Sequence, residues 1–197
     1  MRKYLLAALA ATTTVVSTPA LAQTTGTAPG TGLRVEGIVG YDNARVPGVD
    51  SSGIVYGARV GYDFGAGGLV VGIEGEATDS SVEECENGFE ATGDEICAEF
   101  GRDLYVGGRV GARVGSNTMV YGLAGYTNAR VNLDFEDGTA GGLDDFRIAE
   151  DLDGVRVGAG AEFGIGTNAF VRAEYRYSNY EQDIERHQVV GSFGFRF

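Results

Sequence analysis

Arginine and glutamate residues recur at alternate positions in several short segments of the chain. Arg34 and Glu36 are two residues apart, as are Glu74 and Glu76. Because successive side chains of a β-strand point to opposite faces, such pairs share a face. The chemistry that this face supports is charge pairing between guanidinium and carboxylate groups across neighbouring strands. The predicted ion-pair network comprises Arg34, Glu36, Arg59, Glu74, Glu76, Arg109, Arg113, Arg130, Arg156, Glu162, Arg172, Glu174, Arg176 and Arg196.

The two cysteines, Cys85 and Cys97, are 12 positions apart in an acidic stretch. In an oxidising compartment the natural interpretation is a local disulfide, and a pair of free thiols is the alternative. Two sulfurs and one distant histidine, His187, do not make a zinc site of the usual four-ligand kind.

Two further segments are rich in carboxylates, which are the ligands that Ca²⁺ and Mg²⁺ prefer. The run Asp134-Phe135-Glu136-Asp137-Gly138 nevertheless lacks the spacing of a calcium-binding loop, so we predict solvated loops, no metal site and no cofactor. The acidic residues concerned are Asp79, Glu83, Glu84, Glu86, Glu90, Asp94, Glu95 and Glu99 in one segment, and Asp134, Glu136, Asp137, Asp144, Asp145, Glu150 and Asp151 in the other.

The elements that must position these side chains are β-strands, because residue types alternate with period two from Leu33 onward. Eight strands are predicted, and their lengths suit tilted strands that cross a membrane. Short connections alternate with long ones, as in barrels that have tight turns at one end and loops at the other. The predicted strands are Leu33–Asp42, Gly53–Asp63, Leu69–Ala77, Asp103–Val114, Met119–Val131, Gly154–Phe163, Ala169–Ser178 and His187–Phe197.

The strand face opposite the charged one carries no Asp, Glu, Lys or Arg. A soluble sandwich or barrel with an apolar interior shows the same alternation, so alternation alone does not decide between the two. An unbroken uncharged face is expected when lipid covers it, since an arginine pointing at the bilayer centre costs about 2 to 4 kcal/mol. The sequence therefore favours an all-β, eight-stranded antiparallel up-and-down transmembrane barrel. Its uncharged face includes Val35, Val60, Val106, Met119, Tyr121, Leu123 and Val157.

The first 22 residues combine a basic start, an apolar run and a small-residue end, Ala20-Leu21-Ala22, which is typical of a cleaved secretory signal. Residues 23–32 are then a flexible tail, and residues 33–197 form the barrel. Arg2 and Lys3 account for two of the 15 basic residues, which leaves 13 against 28 acidic ones and a formal charge of −15. That charge argues against nucleic acid as a partner.

The last predicted strand, His187 to Phe197, resembles the closing strand of outer-membrane barrels, which ends on an aromatic residue. Together with Tyr121-Gly122-Leu123-Ala124-Gly125-Tyr126 and Arg172-Ala173-Glu174-Tyr175-Arg176-Tyr177, it is similar to the small OmpA-like or opacity-type porin family. The resemblance implies that Phe193, Phe195 and Phe197 act as the signal read by the barrel assembly machinery. Because the sequence stops at Phe197, we do not carry over the peptidoglycan-binding domain that follows the barrel in OmpA.

The segment Tyr177-Ser178-Asn179 has a faint similarity to the nucleophile region of the lipid A deacylase barrels. That family needs a histidine two positions before the serine, where this chain has Arg176. Without a base within reach the Ser178 hydroxyl is not activated, and we predict no enzyme.

The sequence thus predicts a monomeric outer-membrane barrel with a structural role in envelope integrity, its lumen plugged by ion pairs and both chain ends in the periplasm. The expected partners are outer-membrane lipid, lipopolysaccharide and the assembly machinery. One alternative is a narrow porin that weakly favours anions, because the predicted network has nine arginines against five glutamates. A second is an adhesin that acts through its acidic outer loops.

Overall fold

The computed structural model describes residues 31–46, 49–87, 95–136, 146–181 and 184–197. The predicted signal peptide and most of the predicted tail lie outside them. Nine strands follow one another: β1 (Gly32–Val46), β2 (Val49–Ala66), β3 (Leu69–Ser80), β4 (Val82–Asn87), β5 (Glu95–Val114), β6 (Thr118–Glu136), β7 (Phe146–Ile165), β8 (Ala169–Tyr180) and β9 (Glu185–Arg196).

Every strand pairs in antiparallel fashion with its neighbours, and β3 also pairs with β5, which closes the sheet. The short β4 prolongs β3 beyond Ser81 and pairs only with β5 among the described strands. The molecule is therefore a closed eight-stranded barrel, as predicted. Closure gives the backbone groups of both edges a partner, which a sheet in hydrocarbon requires.

The barrel is staggered in the way that closure demands. Tracing paired residues from Val39 through β2 leads to Asp79 of β3, and tracing them the other way round leads to Leu69 of β3, ten residues away. With eight strands this stagger corresponds to a strand tilt of about 40°. An interior of this size is just wide enough to be filled by side chains.

The two ends of the barrel differ, and we call them the turn end and the loop end. At the turn end three tight connections each contain a glycine with positive φ, namely Gly67, Gly115 and Gly166. A left-handed backbone at these positions is accessible to glycine without steric cost. The start of β1 and the end of β9 lie at this same end.

At the loop end the strands run much further than the sequence predicts. The predicted loop from Thr78 to Arg102 contains the end of β3, all of β4 and the first part of β5, and the predicted loop from Asn132 to Asp153 contains parts of β6 and β7. These extensions carry polar residues on both faces, so hydrophobic alternation does not reveal them. Their backbone pairing continues in spite of this.

One strand faces the opposite way from the prediction. Met119, Tyr121 and Leu123 of β6 are buried inside the barrel, whereas Val120 and Tyr126 are exposed on its outer wall. Both faces of β6 are uncharged as far as Ala129, so its residue types do not orient it. The exposed face of the barrel otherwise carries the expected apolar residues, among them Val35, Val60, Val106, Val157, Phe193, Phe195 and Phe197. The described residues contain no helix that is long and apolar enough to cross a membrane.

Candidate functional site

The barrel interior is filled with charged side chains that come from inward-facing positions of the strands. Of the 14 residues predicted for the network, eleven are buried there, while Arg113 and Arg196 are partly buried at the turn end. The buried predicted residues are Arg34, Glu36, Arg59, Glu74, Glu76, Arg109, Arg156, Glu162, Arg172, Glu174 and Arg176.

Near the turn end the charges are organised around Asp63. Its carboxylate accepts hydrogen bonds from Nε of Arg34 at 3.0 Å, from Nε of Arg109 at 2.9 Å and from Nη2 of Arg196 at 3.3 Å. Arg109 also reaches Glu162 at 3.2 Å. The carboxylate of Asp63, a residue of β2, therefore links β2 to β1, β5 and β9.

At mid-height two glutamates share their guanidinium partners. Glu174 lies 2.9 Å from Arg59 and 2.5 Å from Arg176, while Glu76 lies 2.7 Å from each of these arginines. Arg156 donates to Glu76 as well, at 3.1 Å. Since β3 and β8 lie on opposite sides of the barrel, these contacts span the lumen rather than run along its wall.

A third glutamate ties the mid-height contacts to the turn-end group. Glu36 accepts hydrogen bonds from Arg172 at 2.5 Å, from Arg34 at 2.9 Å and from the Ser192 hydroxyl at 2.6 Å. Arg34 continues the chain of contacts to Glu74 at 2.6 Å. The ion pairs thus form one connected network instead of isolated bridges.

Toward the loop end the network is organised around Asp103. Its carboxylate accepts from Arg156 at 2.5 Å, from Arg186 at 3.0 Å, from Tyr180 at 2.8 Å and from Thr127 at 2.6 Å. All five side chains are buried. A buried carboxylate with four donors is fully compensated for its loss of water.

Four members of this network are absent from the sequence prediction: Asp42, Asp63, Asp103 and Arg186. Arg186 pairs with Asp42, which also accepts from the Ser80 hydroxyl at 2.6 Å. Each of the four lies at or beyond a predicted strand end, but each has the same parity as the predicted charges of its strand. Applying the period-two rule as far as the predicted strand ends would have found the three aspartates, and extending it by one residue would have found Arg186.

Arg130 was predicted to be luminal, and that prediction is wrong. It lies on the outer wall of β6, where its side chain is 44% exposed and pairs with Asp151 of β7 at 2.9 Å. The reason is the reversed orientation of β6, since even-numbered positions of that strand point outward. The charge faces water or headgroups there, beyond the apolar part of the wall.

These corrections change the charge balance of the lumen. Among the described side chains that point inward and are buried or partly buried there are nine arginines and eight carboxylates, not nine and five. The arginines are Arg34, Arg59, Arg109, Arg113, Arg156, Arg172, Arg176, Arg186 and Arg196, and the carboxylates are Glu36, Asp42, Asp63, Glu74, Glu76, Asp103, Glu162 and Glu174.

Two luminal tyrosines support the arginines from the β5–β6 side. The Arg172 guanidinium lies 4.4 Å from the centre of the Tyr121 ring, and that of Arg156 lies 5.2 Å from the Tyr105 ring. The Tyr105 ring fits because Gly107 is beside it: a Cβ there would come within 2.1 Å of the tyrosine oxygen. Cation–π contacts of this kind add attraction that the ion pairs alone do not supply.

An apolar cluster closes the loop end of the network. We call it the outer cap; its side chains point inward from five strands and the turn after β8, and all are buried. Tyr180 belongs to both layers, because its ring packs in the cap and its hydroxyl bonds Asp103. The outer cap consists of Ala44, Val82, Ala129, Leu152, Tyr180 and Ile184.

The residues considered for catalysis do not come together. The Ser178 hydroxyl is fully buried and accepts a hydrogen bond from Arg156 at 2.8 Å, whereas His187 lies on the outer face with its ring against Tyr175 and Tyr177. In the part of the chain that the structure describes, no three His, Cys, Asp or Glu side chains could hold a metal ion together. For most of the acidic residues considered for Ca²⁺ or Mg²⁺, the structure does not describe the side chain.

Cys85 and Cys97 are directly opposite each other in the β4–β5 pair. Opposed residues of an antiparallel pair have Cα atoms about 4.5 to 5.5 Å apart, which is within the range of a disulfide. The structure describes the backbone of these two residues and not their side chains, so the disulfide stays a prediction.

Comparisons with known proteins agree with this architecture. A family model described as outer membrane protein beta-barrel domain matches residues 8–197. The 25 kDa outer-membrane immunogenic protein of Brucella ovis is 30% identical over 147 residues, which cover 72% of this chain and 62% of that protein. The 31 kDa outer-membrane immunogenic protein of Brucella melitensis is 29% identical over 146 residues, covering 70% and 60%. The chain thus spans about three fifths of the length of these relatives.

Solved structures show the same fold at low identity. Neisserial surface protein A superposes with a TM-score of 0.59 at 14% identity, over 85% of this chain and 98% of the other. Ail, the attachment invasion locus protein of Yersinia pestis, gives 0.56 at 18% identity, over 85% and 99%. Ail has also been crystallised with the heparin analogue sucrose octasulfate.

Proposed function

Because the chain belongs to the family of outer membrane protein β-barrel domains, we propose that it is a structural barrel of the outer membrane whose lumen does not conduct. The observation that carries this proposal is the ion-pair network, which runs along the barrel from Asp63 near the turn end to Asp103 near the loop end and crosses the lumen at mid-height. Guanidinium and carboxylate groups at distances of 2.5 to 3.3 Å leave little room for water between them. A side chain that moved aside would leave its buried partners uncompensated.

The orientation that we propose places the turn end and both barrel termini in the periplasm. Its support is the asymmetry of the two ends, with tight glycine turns at one and extended hairpins at the other. The signal peptide, the disulfide, the monomeric state and the reading of Phe193, Phe195 and Phe197 by the assembly machinery belong to the same proposal. We assign the barrel no catalytic step, because the buried Ser178 hydroxyl is already bonded to Arg156.

A narrow anion-favouring porin is less well supported than the sequence suggests. That hypothesis depends on an excess of four luminal arginines, whereas nine arginines and eight carboxylates leave an excess of one. The outer cap adds an apolar layer that an ion would have to cross without its hydration. Both features favour a closed lumen.

The adhesin hypothesis rests on the acidic outer loops, whose central residues, 88–94 and 137–145, lie outside the described ranges. Ail binds a polyanion, sucrose octasulfate. This chain is acidic, with 28 Asp and Glu against 15 Lys and Arg, so we do not transfer such a ligand to it. An adhesin function would require a partner that tolerates or prefers negative charge.

The structural role can be tested in the bacterium that carries the gene. We expect deletion to increase the release of a periplasmic enzyme and of outer-membrane vesicles, and the wild-type gene to restore both. A matched variant in which residues 88–94 are replaced by a two-residue turn should restore them equally well, because the proposed role belongs to the barrel and not to its loop. An intact envelope in the deletion strain would contradict the proposal. Slower uptake of small anions there would favour the porin.

A further inference from the structure

A group of polar side chains on the outer wall has no part in the luminal network. It lies on the adjacent strands β5, β6 and β7 and consists of Arg102, Asn128, Arg130, Asp151 and Asp153, which we call the outer-wall cluster. The side chains of Arg102, Arg130 and Asp151 are 40%, 44% and 47% exposed. The cluster is therefore open to whatever surrounds the barrel at this height.

The position of the cluster on the wall is well defined. On β6 and β7 the outward residues change from aromatic or apolar to polar side by side, because Tyr126 is paired with Val155 and Asn128 with Asp153. On β5 the change comes one outward residue later, since Leu104 is paired with Asn128 and Arg102 follows at an irregularity of the register. At a rise of about 3.3 Å per residue, the cluster begins within about 7 Å of the last apolar side chains. The changes occur at Leu104 to Arg102, Tyr126 to Asn128 and Val155 to Asp153.

Asp151 holds the two arginines side by side. Its carboxylate accepts from Nε of Arg130 at 2.9 Å, from Nη2 of Arg130 at 3.0 Å and from Nη2 of Arg102 at 3.1 Å. The hydrogen bond and charge of Arg130, with the charge of Arg102, hold the pKa of Asp151 below its ordinary value. Two guanidinium groups fixed by one carboxylate carry a charge of +1 between them, which Asp153 offsets, and they present further N–H donors in fixed planes.

The remaining members of the cluster are joined to Arg102 by hydrogen bonds. Asn128 accepts from Arg102 at 3.2 Å and donates to Asp153 at 2.7 Å, and the Tyr126 hydroxyl also donates to Asp153. The carboxylate of Asp153 is thereby occupied by donors from β6.

We propose that Arg102 and Arg130 bind a phosphate group of an outer-leaflet lipid headgroup, of the kind that lipopolysaccharide carries. Guanidinium groups suit phosphate because they donate two parallel hydrogen bonds. The inference rests on the proposed placement of the loop end at the outer surface of the membrane. It goes beyond the structural role, since it assigns a binding site and a ligand class to particular residues.

The location favours a lipid over a soluble polyanion. A headgroup anchored in the bilayer is held beside the wall just above the apolar belt, where the cluster lies. A soluble polyanion would approach past the loop end, which is rich in Asp and Glu. The cluster has as many carboxylates as guanidiniums, so we expect a contact of modest strength, worth about fivefold in affinity.

The test is a titration of the full-length refolded barrel in non-ionic detergent with lipid A that carries its phosphates, followed by native mass spectrometry. We expect the double variant Arg102→Gln, Arg130→Gln to bind roughly fivefold more weakly than wild type. We expect dephosphorylated lipid A to bind wild type roughly fivefold more weakly than phosphorylated lipid A does. It should bind wild type and the double variant with equal affinity. The matched control is Arg45→Gln, an exposed outward arginine on β1, which should keep wild-type affinity.

Three results would overturn the proposal. Equal affinity of wild type for both forms of lipid A would show that the phosphate is not recognised. An equal loss of affinity in the Arg45→Gln variant would show that binding is not specific to Arg102 and Arg130. Full competition by inorganic phosphate at the same concentration as the lipid would show that the site binds a free phosphate ion and not a lipid. Should the double variant fail to refold, Arg130→Gln alone carries the same test. Because the titration is done in detergent, its failure is distinguishable from failure of the proposed role in the envelope.

Discussion

Each carboxylate inside the barrel serves several guanidinium groups, and this sharing makes single charges indispensable. Asp103 illustrates it, with Arg156 and Arg186 both depending on its carboxylate. An exposed pair such as Arg130 with Asp151 is different, because water replaces a lost partner. The same residue types therefore contribute very differently to the free energy of unfolding inside the lumen and on the outer wall.

Replacement of Asp103 by alanine should be among the most damaging single changes in the barrel. It leaves two buried guanidinium groups without their shared partner, and breaking a buried pair in this way costs about 3 to 5 kcal/mol. The free energy of unfolding, measured by urea titration in lipid vesicles, should fall by that amount. The control Asp151→Asn should change it little. A comparable small loss in both variants would mean that water fills the lumen around Asp103.

The sequence predicts the luminal charges well where a strand combines a charged face with an apolar one. On β8 the alternation of Arg172, Glu174 and Arg176 with apolar neighbours determines which side chains point inward. The predicted network omits Asp42 and Arg186 because Asp42 is the last residue of the first predicted strand and Arg186 lies just before the last one, next to stretches that resemble loops. Partners across the lumen, such as Arg59 with Glu174, are 115 residues apart and follow only from closure of the barrel.

At the scale of the strand, the pairing register determines which face of β6 points inward, and the local residue pattern does not. Arg109 of β5 is opposite Leu123 of β6, so the two side chains share the inward face. The uncharged run from Thr118 to Ala129 is compatible with either orientation of β6 by residue type alone. A register derived from the charged neighbour would have oriented the strand and placed Arg130 outside.

A charge introduced on the lipid-facing side of β7 should destabilise the barrel. Val157 is half exposed on the outer face, two outward positions from Asp153, and an arginine there should cost up to about 2 kcal/mol, the lower end of the range for the bilayer centre. The neighbouring inward change Ser178→Ala removes one acceptor of Arg156 and should cost about 1 kcal/mol. The two folded fractions, compared by heat-modifiable gel migration, should differ clearly. Equal folded yields would contradict the assignment of the faces.

Reduction of the predicted Cys85–Cys97 disulfide should loosen only the β4–β5 extension. These strands pair beyond the level at which β3 ends, and the barrel closes through the β3–β5 pairing without them. Hydrogen exchange should therefore rise in residues 82–100 and stay unchanged in β1, β8 and β9. If the reductant unfolded the whole barrel, the cysteines would have a role in closure that the register does not suggest.

For the whole molecule, the sequence predicts the number of strands, their antiparallel order and their closure, because lipid imposes one uncharged face on every spanning strand. It does not predict the height of the barrel. Beyond the lipid both faces of a strand meet water, so the pattern that marks the spanning part disappears while the backbone pairing continues. The outer cap, formed by Leu152 and other apolar residues of these extensions, was hidden for the same reason.

The central claim is that ion pairs and the outer cap close the lumen, and single-channel conductance in a planar bilayer tests it most directly. The purified wild-type barrel, with its insertion verified by heat-modifiable migration, should give no resolvable current steps in potassium chloride. Stable, ion-selective steps from inserted wild-type barrels would contradict the account, because they would require a continuous water path through the network around Glu76 and Asp103.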